Sequence, residues 1–202
     1  MRHVAEVLDE QRWDDHRYYH HSRINQSLHL LSAISFLVSY ALLIIHPAMA
    51  ALLAWTVAMT TRQIGHFFFE PKDYDTVNQA THEYKEAVKV GYNLHRKVIL
   101  LSIWAALPLY LLFDPTCAGY LQPHATAFEY AINVGWTWFW LGIAGALFRV
   151  AQLTVQQSFE TGAVWLFKIL TDPFHDIKLY WSAPLALMRG ELIDPQHGTR
   201  RH

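Results

Sequence analysis

The side chain with the widest chemical scope in this chain is histidine. The sequence holds 13 histidines and a single cysteine, Cys117. One cysteine excludes an internal disulfide framework and a cysteine-rich zinc site, so imidazole and carboxylate are the strong metal ligands that remain. The histidines that could act together stand mostly near the ends of apolar segments: His20, His21, His29, His66, His82, His95 and His175. A helical bundle brings such ends to one level, which predicts a metal centre built from ligands remote in sequence.

The clearest short pattern is the pair formed by His66 and Glu70. These residues are four apart and therefore share one face of a helix, while Pro71 disfavours helical backbone at Glu70 itself. Gly65, beside the histidine, permits close contact between two helices in a membrane. The same spacing is common where both side chains only pack against their neighbours. The pair by itself therefore predicts that the two side chains point the same way, and does not by itself predict a metal site.

The upstream histidines leave two geometries open. His21, Asn25 and His29 are spaced four and four, so one unbroken helix would carry them as a stripe. His20 and His29 are nine residues apart and would lie on opposite faces of that helix. If these two histidines bind one ion, the helix must break near residues 22–25.

The other histidines have local alternatives to metal binding. His82 and Glu86 share a face of an amphipathic segment that could lie over the site. His95 precedes two basic residues, which is typical of an interfacial anchor. His175 lies near the start of an amphipathic stretch, 172–184, and is either a ligand or a capping residue. Four histidines are expected in solvent: His3, His16, His197 and His202.

Four apolar runs have to position these side chains. Between Arg23 and Arg62 lie 38 residues without Asp, Glu, Lys or Arg, interrupted only by His46-Pro47, which predicts a helical hairpin. Two more uncharged runs follow. The expected spans, each of 16 to 19 residues, are 28–45, 48–64, 98–113 and 130–148. Their lengths are close to the roughly 17 to 25 residues that cross a bilayer as a helix.

The distribution of charge predicts the topology. All 16 lysines and arginines fall in the stretches 1–23, 62–97 and 149–202, and none in the connections 46–47 and 114–129. The positive-inside rule then places both termini in the cytoplasm. The expected cytoplasmic segments are 1–27, 65–97 and 149–202. The expected fold is an all-α integral membrane helical bundle, a single domain over 1–202, with about four transmembrane helices and cytoplasmic interfacial helices.

Composition narrows the classes of function. A mean hydropathy of +0.09 would also suit a soluble helical protein with buried core helices, but averaging hides the segregation of apolar from polar stretches. The net charge of −1 gives no field that would draw the molecule onto nucleic acid. The polar start of the chain does not have the pattern of a secretory signal, so insertion is expected through internal segments.

The order of these motifs resembles the small integral-membrane family of 2-hydroxy fatty acid dioxygenases. The resemblance covers residues 18–71: a tyrosine-rich entry, then His20, Asn25 and His29, an apolar hairpin, and Gly65-His66-Phe-Phe-Phe-Glu70. A weaker resemblance, to the family's closing amphipathic segment, begins at His175. The chain departs from the family where Pro71-Lys-Asp-Tyr-Asp replaces the usual Arg-Pro-Ala stretch, and in the two further apolar runs within 77–165.

The resemblance implies an Fe(II)-dependent dioxygenase that takes O2 and a 2-hydroxy fatty acid and shortens the acyl chain by one carbon. It implies His20, His29 and His66 as iron ligands, with His82 as a fourth candidate. Glu70 is then a catalytic group, either a ligand or an acceptor that orients an imidazole. Asn25, Arg62 and His175 are then candidates for orienting an iron ligand or for binding the substrate, and Arg23 is a further candidate for holding the substrate carboxylate. The host membrane would be a bacterial inner membrane or the endoplasmic reticulum.

Three other functions fit the same residues. A lipid hydroxylase or desaturase with two irons is also histidine-rich, although this chain lacks repeated His-x-x-His-His boxes. A bis-histidine haem protein would use His29 and His66 as axial ligands. A non-enzymatic lipid-binding bundle would need its histidines only at the interface. The sequence leaves the lipid, the number of ligands and the oligomeric state open, and a homo-oligomer is compatible with it.

Overall fold

The protein is all-helical, as the sequence predicts. The computed structural model describes residues 2–70, 72–76, 78–90 and 93–194, so His197 and His202 lie outside the described residues, as does the side chain of His3. The described residues contain no strand, only two isolated bridges, Ser22 with Ile193 and Asp75 with Ala80. The elements are α1 (Arg2–Tyr19), α2 (Arg23–Leu43), α3 (Pro47–Leu53), a π-helical segment (Ala54–Met59), α4 (Thr60–Phe68), α5 (His82–Val88), α6 (Leu94–Phe113), α7 (Ala127–Gln156), α8 (Phe159–Tyr180) and α9 (Ala183–Met188).

Three helices among the described residues are long and apolar enough to cross a membrane: α2, α6 and α7. They contain or largely overlap the spans expected at 28–45, 98–113 and 130–148. The span expected at 48–64 falls in a continuous helical run from Pro47 to Phe68, which the π-helical segment divides into pieces of 7, 6 and 9 residues. No one piece of that run has the length of a span.

A break between α1 and α2 decides the geometry of the first histidines. α1 ends at Tyr19, and α2 begins at Arg23 behind Ser22, whose side chain accepts a hydrogen bond from the Asn25 amide as an N-cap. His20 therefore precedes the break and His29 follows it. One unbroken helix would place His20 and His29 on opposite faces, whereas the break removes that constraint. The structure therefore has the second geometry, in which the helix breaks near residues 22–25.

A stack of tryptophans joins the central helices. The Trp55 indole donates to the Trp138 carbonyl and the Trp138 indole donates to the Trp104 carbonyl, both at 2.9 Å. The Trp104 and Trp138 rings stack with centroids 5.2 Å apart. Because indole N–H groups need acceptors when buried, these bonds tie the π-helical segment, α6 and α7 into one core around the fully buried Leu111.

Helix α8 packs along α2, a contact that the sequence did not predict. The Tyr40 hydroxyl donates to the Leu170 carbonyl at 3.2 Å, and α1 lies against α8 through Arg12 and Asp172 at 3.3 Å. The segment after α9 then crosses the break between α1 and α2. Its contacts are backbone bonds of 2.9 Å, from the Arg23 amide to the Leu192 carbonyl and from the Asp194 amide to the His21 carbonyl. Residues 149–194 therefore belong to the helical bundle around the site.

Two glycines of α7 provide a matched test of this packing. A Cβ at Gly135 would lie 2.4 Å from the Ala48 carbonyl oxygen, whereas at Gly142 the nearest atom would be 3.8 Å away. We expect Gly135→Ala to lower the free energy of unfolding by about 1–3 kcal/mol, because the backbone of α3 must move. Gly142→Ala should leave it unchanged or raise it by up to about 1 kcal/mol. Thermal unfolding in detergent measures both, and equal effects would contradict the close approach of α3 and α7.

Candidate metal centre

Three histidines converge where α1, α2 and α4 meet. The ring centroids of His20 and His29 are 4.0 Å apart, those of His29 and His66 are 4.9 Å apart, and those of His20 and His66 are 5.4 Å apart. One nitrogen from each ring lies within 4.8 Å of the others. His20 stands at the break after α1, His29 in the second turn of α2 and His66 in the last turn of α4. Nitrogens bound to one divalent ion in tetrahedral geometry are about 3.4 Å apart, so small rotations of the rings bring all three within reach.

Each imidazole has an oxygen on its Nδ1 side. The Tyr180 hydroxyl lies 2.7 Å from His20 Nδ1 and Glu70 Oε2 lies 2.7 Å from His66 Nδ1. Asp176 Oδ2 is 3.7 Å from His29 Nδ1, which is too long for a hydrogen bond but close enough to attract an N–H. An acceptor at Nδ1 favours the tautomer that leaves Nε2 free to bind a metal. This arrangement of oxygens is typical of metal-ligating histidines.

The inner nitrogens have no other partner in the described structure. His20 Nε2 and His29 Nε2 are buried and accept or donate no hydrogen bond there. Buried polar atoms are nearly always satisfied, because an orphaned one costs free energy. A cation bound by the three imidazoles would satisfy them, so the residues fit a metal ion. Three neutral nitrogens with open positions opposite suit Fe(II) and also Zn²⁺.

Burial sets the charge state of the site. The pKa of His20 is held well below its ordinary value, first by burial and then by the neighbouring charge of His29. Since metals bind the neutral imidazole, His20 is in its ligand form at neutral pH. Burial also raises the pKa of Glu70 to about 7. A carboxyl group that holds or releases a proton near neutral pH therefore stands beside His66.

Two of the predicted histidines lie apart from the cluster. His82, on α5, lines a small cavity of about 30 Å³ together with His66, Glu70 and Glu86. It is not in the group whose ligand atoms converge. His175 is half-buried on α8. The next residue, Asp176, is the one that faces the site.

Asn25 has a positioning role. It is fully buried, and its side-chain amide nitrogen Nδ2 donates to the Tyr19 carbonyl at 2.8 Å. This hydrogen bond stabilises the break between α1 and α2. A Cβ at Gly65 would lie 2.1 Å from Asn25 Oδ1. Only glycine leaves room there, so α4 approaches α2 closely at the residue next to His66.

The two arginines considered as carboxylate holders are already engaged. Arg62 pairs with Asp176 and lies 3.4 Å from the Ser32 hydroxyl. Arg23 donates to the Gln26 side chain at 2.8 Å and pairs with Asp194 at 3.1 Å. These contacts orient the neighbouring groups and fasten the C-terminal segment. Neither guanidinium is left open for a substrate.

The partners on α8 were missed by sequence reasoning. Tyr180 and Asp176 are buried and complete the surroundings of His20 and His29. A signal was present, because α8 carries a polar stripe at intervals of four residues: Lys168, Asp172, Asp176 and Tyr180. Polar residues that repeat on one face of an otherwise apolar helix indicate a buried polar contact. The expectation that His16 lies in solvent is wrong, since α1 packs on α8 and His16 Nδ1 is 3.2 Å from the Tyr180 hydroxyl.

A large apolar cavity opens from the cluster. Its volume is about 610 Å³, and His20 and His66 line its polar end. The walls come mainly from the apolar parts of α2, the π-helical segment, α6, α7 and α8, with Phe36, Trp55 and Trp138 among them. Cavities of this size and character bind small organic ligands. A long apolar chain could lie in it with one end at the imidazoles.

Comparison with known proteins adds no relative. The chain matches no protein-family model, no curated protein and no solved structure. The likeness over residues 18–71 thus rests on the order of residues alone. The evidence for a function is therefore the geometry of the histidine cluster and its cavity.

Metal content tests the cluster directly. We expect the purified protein to bind about one equivalent of Fe(II) or Co²⁺, because the three converging imidazoles would share one ion. His29→Ala should lose that metal, since it removes the central ligand. His46→Ala is the matched control, because His46 is exposed at the turn before α3. Elemental analysis and the Co²⁺ absorption spectrum give the readout. Full metal content in His29→Ala would refute the site.

The Tyr180 hydroxyl offers a second test. Tyr180→Phe keeps the ring but removes the oxygen beside His20 Nδ1, so we expect metal affinity to fall by about 10- to 100-fold. Tyr120→Phe should change nothing, since Tyr120 is 88% exposed. Competition with a chromophoric chelator measures both. Equal affinity in the two variants would mean that Tyr180 only packs.

Proposed function

We propose that this protein is an Fe(II)-dependent dioxygenase that removes C1 from 2-hydroxy fatty acids, leaving an acyl chain one carbon shorter. The observation that carries the proposal is the position of three buried, converging imidazoles at the polar end of an apolar cavity. A metal centre alone would suit many functions. Its opening into a cavity among apolar helices favours an amphiphilic substrate.

His20, His29 and His66 would hold the iron through Nε2, with Tyr180, Asp176 and Glu70 orienting their rings. Bound there, Fe(II) supplies the activation of O2. The imidazoles would occupy one side of the ion and leave positions open towards the cavity, as in other non-haem iron oxygenases. Glu70, with a pKa of about 7, can exchange a proton with a substrate group bound next to it.

The substrate class is the one that the resemblance over residues 18–71 implies, and the apolar cavity is compatible with its acyl chain. A 2-hydroxy acid plus O2 gives the acid one carbon shorter, CO2 and water, so no separate reductant is needed. The 2-hydroxyl group and the carboxylate would lie near the imidazoles, and the tail would lie along Trp55 and Trp138. The apolar walls favour burial of the tail, because transfer of apolar surface out of water is favourable.

The membrane arrangement is part of the same proposal. Helices α2, α6 and α7, together with the run from Pro47 to Phe68, would form four passes, and the histidine cluster would face the cytoplasm with both termini. The basic residues support this side, because none lies in the connections 46–47 and 114–129. The host would be a bacterial inner membrane or the endoplasmic reticulum.

The rival functions fit the geometry less well. A haem between His29 and His66 would place its plane between their rings, yet the centroids are 4.9 Å apart and His20 fills the remaining space. A site with two irons needs more ligands. Among the described residues the three histidines form the one group of His, Cys, Asp and Glu that converges closely enough for an ion.

Turnover by the purified protein tests the proposal. Detergent-solubilised protein with Fe(II) and O2 should convert 2-hydroxyhexadecanoic acid to pentadecanoic acid and CO2, measured by mass spectrometry. His66→Ala should abolish the product, because a ligand is lost, and His46→Ala should retain it. Unmodified hexadecanoic acid should not react, since it lacks the hydroxyl group. If iron is bound but no shortened acid forms, the assigned reaction is wrong and the metal site stands.

A further inference from the structure

Charged side chains of both signs stand among the apolar walls of the cavity. Four are basic, namely Arg62, Lys89, Lys97 and Lys168, and three are acidic, namely Asp14, Asp15 and Asp172. A cation at the edge of an apolar space needs a partner, because burial of an unpaired charge is costly. The partners of these four groups show which of them is available to a ligand.

Two of the four cations are neutralised by carboxylates inside the protein. Arg62 pairs with Asp176. Lys168 pairs with Asp15 at 2.5 Å and with Asp172 at 2.6 Å. These groups hold α1, α4 and α8 together and are closed to a ligand.

Lys89 is also engaged. Its ammonium lies 3.5 Å from Glu86 Oε1 and 3.4 Å from the centroid of the Tyr19 ring. A cation over an aromatic face is attracted to it. Lys89 therefore adds positive potential at this end of the cavity and already has two contacts of its own.

Lys97 differs from the other three. Among the described residues its side chain has no hydrogen bond and no ion pair, although it is half-buried and shares the small cavity with Glu70 and Glu86, whose charges act on it. It stands in the first turn of α6 and lines both the large cavity and the small cavity behind Glu70. His66 is likewise shared by both cavities. The open ammonium and the metal-binding histidine thus lie at the same end of the large cavity.

We propose that Lys97 is the anchor for the carboxylate of the acyl ligand and sets the selectivity of the cavity for free acids over neutral lipids. The proposal rests on the proposed function for the identity of the ligand, but it concerns binding and not turnover. A carboxylate bound to Lys97 would supply the partner that the ammonium lacks. Its chain would extend past Leu100 and Leu101, which follow Lys97 along the same cavity wall.

This anchor orients the acid as well as attracting it. With one carboxylate oxygen on Lys97, the C1–C2 bond lies beside His66 and the tail points into the bundle. A methyl ester, a primary amide or an alcohol would fill the apolar space equally well but leave the ammonium without a counter-charge. Discrimination between acid and ester thus separates an ionic anchor from simple burial of the tail.

Binding of a brominated acid tests the anchor without turnover. Bromine quenches tryptophan fluorescence, and Trp55 and Trp138 line the cavity. We expect the full-length protein, as purified and without O2, to bind 9,10-dibromohexadecanoic acid at least about tenfold more tightly than its methyl ester. Lys97→Gln should remove this preference by weakening the acid alone, and Lys97→Arg should retain it. Lys178→Gln is the control, because Lys178 is an exposed lysine of α8.

Each outcome decides the proposal. Equal binding of acid and ester by the unchanged protein overturns it, as does an acid affinity of Lys97→Gln equal to that of the unchanged protein. If Lys97→Gln does not fold, loss of the preference in Lys97→Arg together with a normal melting temperature overturns it too. Failure of the dioxygenase is distinguishable, since acid-selective binding without a shortened product contradicts the reaction only. Turnover that proceeds with an unchanged KM in Lys97→Gln contradicts the anchor only.

Discussion

The structure depends on keeping three buried imidazoles together in an apolar bundle. Each ring must approach the others to within about 5 Å, and each needs an oxygen behind it. Those needs account for the irregular features nearby: the break between α1 and α2, the glycine at Gly65 that lets α4 approach α2, and the C-terminal segment that crosses the break through Asp194. None of these features would stabilise a bundle whose interior was wholly apolar.

The second constraint is ionic. α8 brings Lys168, Asp172 and Asp176 into the bundle, and the structure compensates them with Asp15, Arg12 and Arg62 from α1 and α4. Loss of one partner in a buried pair leaves an unpaired charge and costs about 3–5 kcal/mol. Such pairs fix which face of α8 meets α1 and α2, and hence the position of Tyr180 behind His20. The ionic network thus supports the position of the histidine cluster.

Much of the fold could be predicted from the sequence. Uncharged runs of span length predict α2, α6 and α7, and histidines at the ends of those runs predict where polar chemistry lies. The contacts of α8 were not predicted, because its charged residues exclude it from the uncharged runs that mark the other long helices. Periodicity alone also does not show which neighbouring helix packs against each face. His82 shows the same limit: its spacing to Glu86 describes a face of α5, but the fold turns that face towards a different cavity.

The π-helical segment shows how the long helical run serves both the core and the site. Trp55 and His66 are eleven residues apart, so an unbroken α-helix would present them on nearly the same face. The structure places them on different faces: Trp55 bonds to Trp138 on α7, while His66 meets His20 and His29 on the side of α1 and α2.

A π turn takes up one extra residue and so rotates the helix that follows by roughly 100°. The Thr60 hydroxyl donates to the Trp55 carbonyl at 2.9 Å and satisfies an acceptor in the irregular turn. No proline or glycine marks this position in the sequence. The offset therefore comes from the competing demands of the tryptophan stack and the histidine cluster, which is why pattern reasoning placed a regular span there.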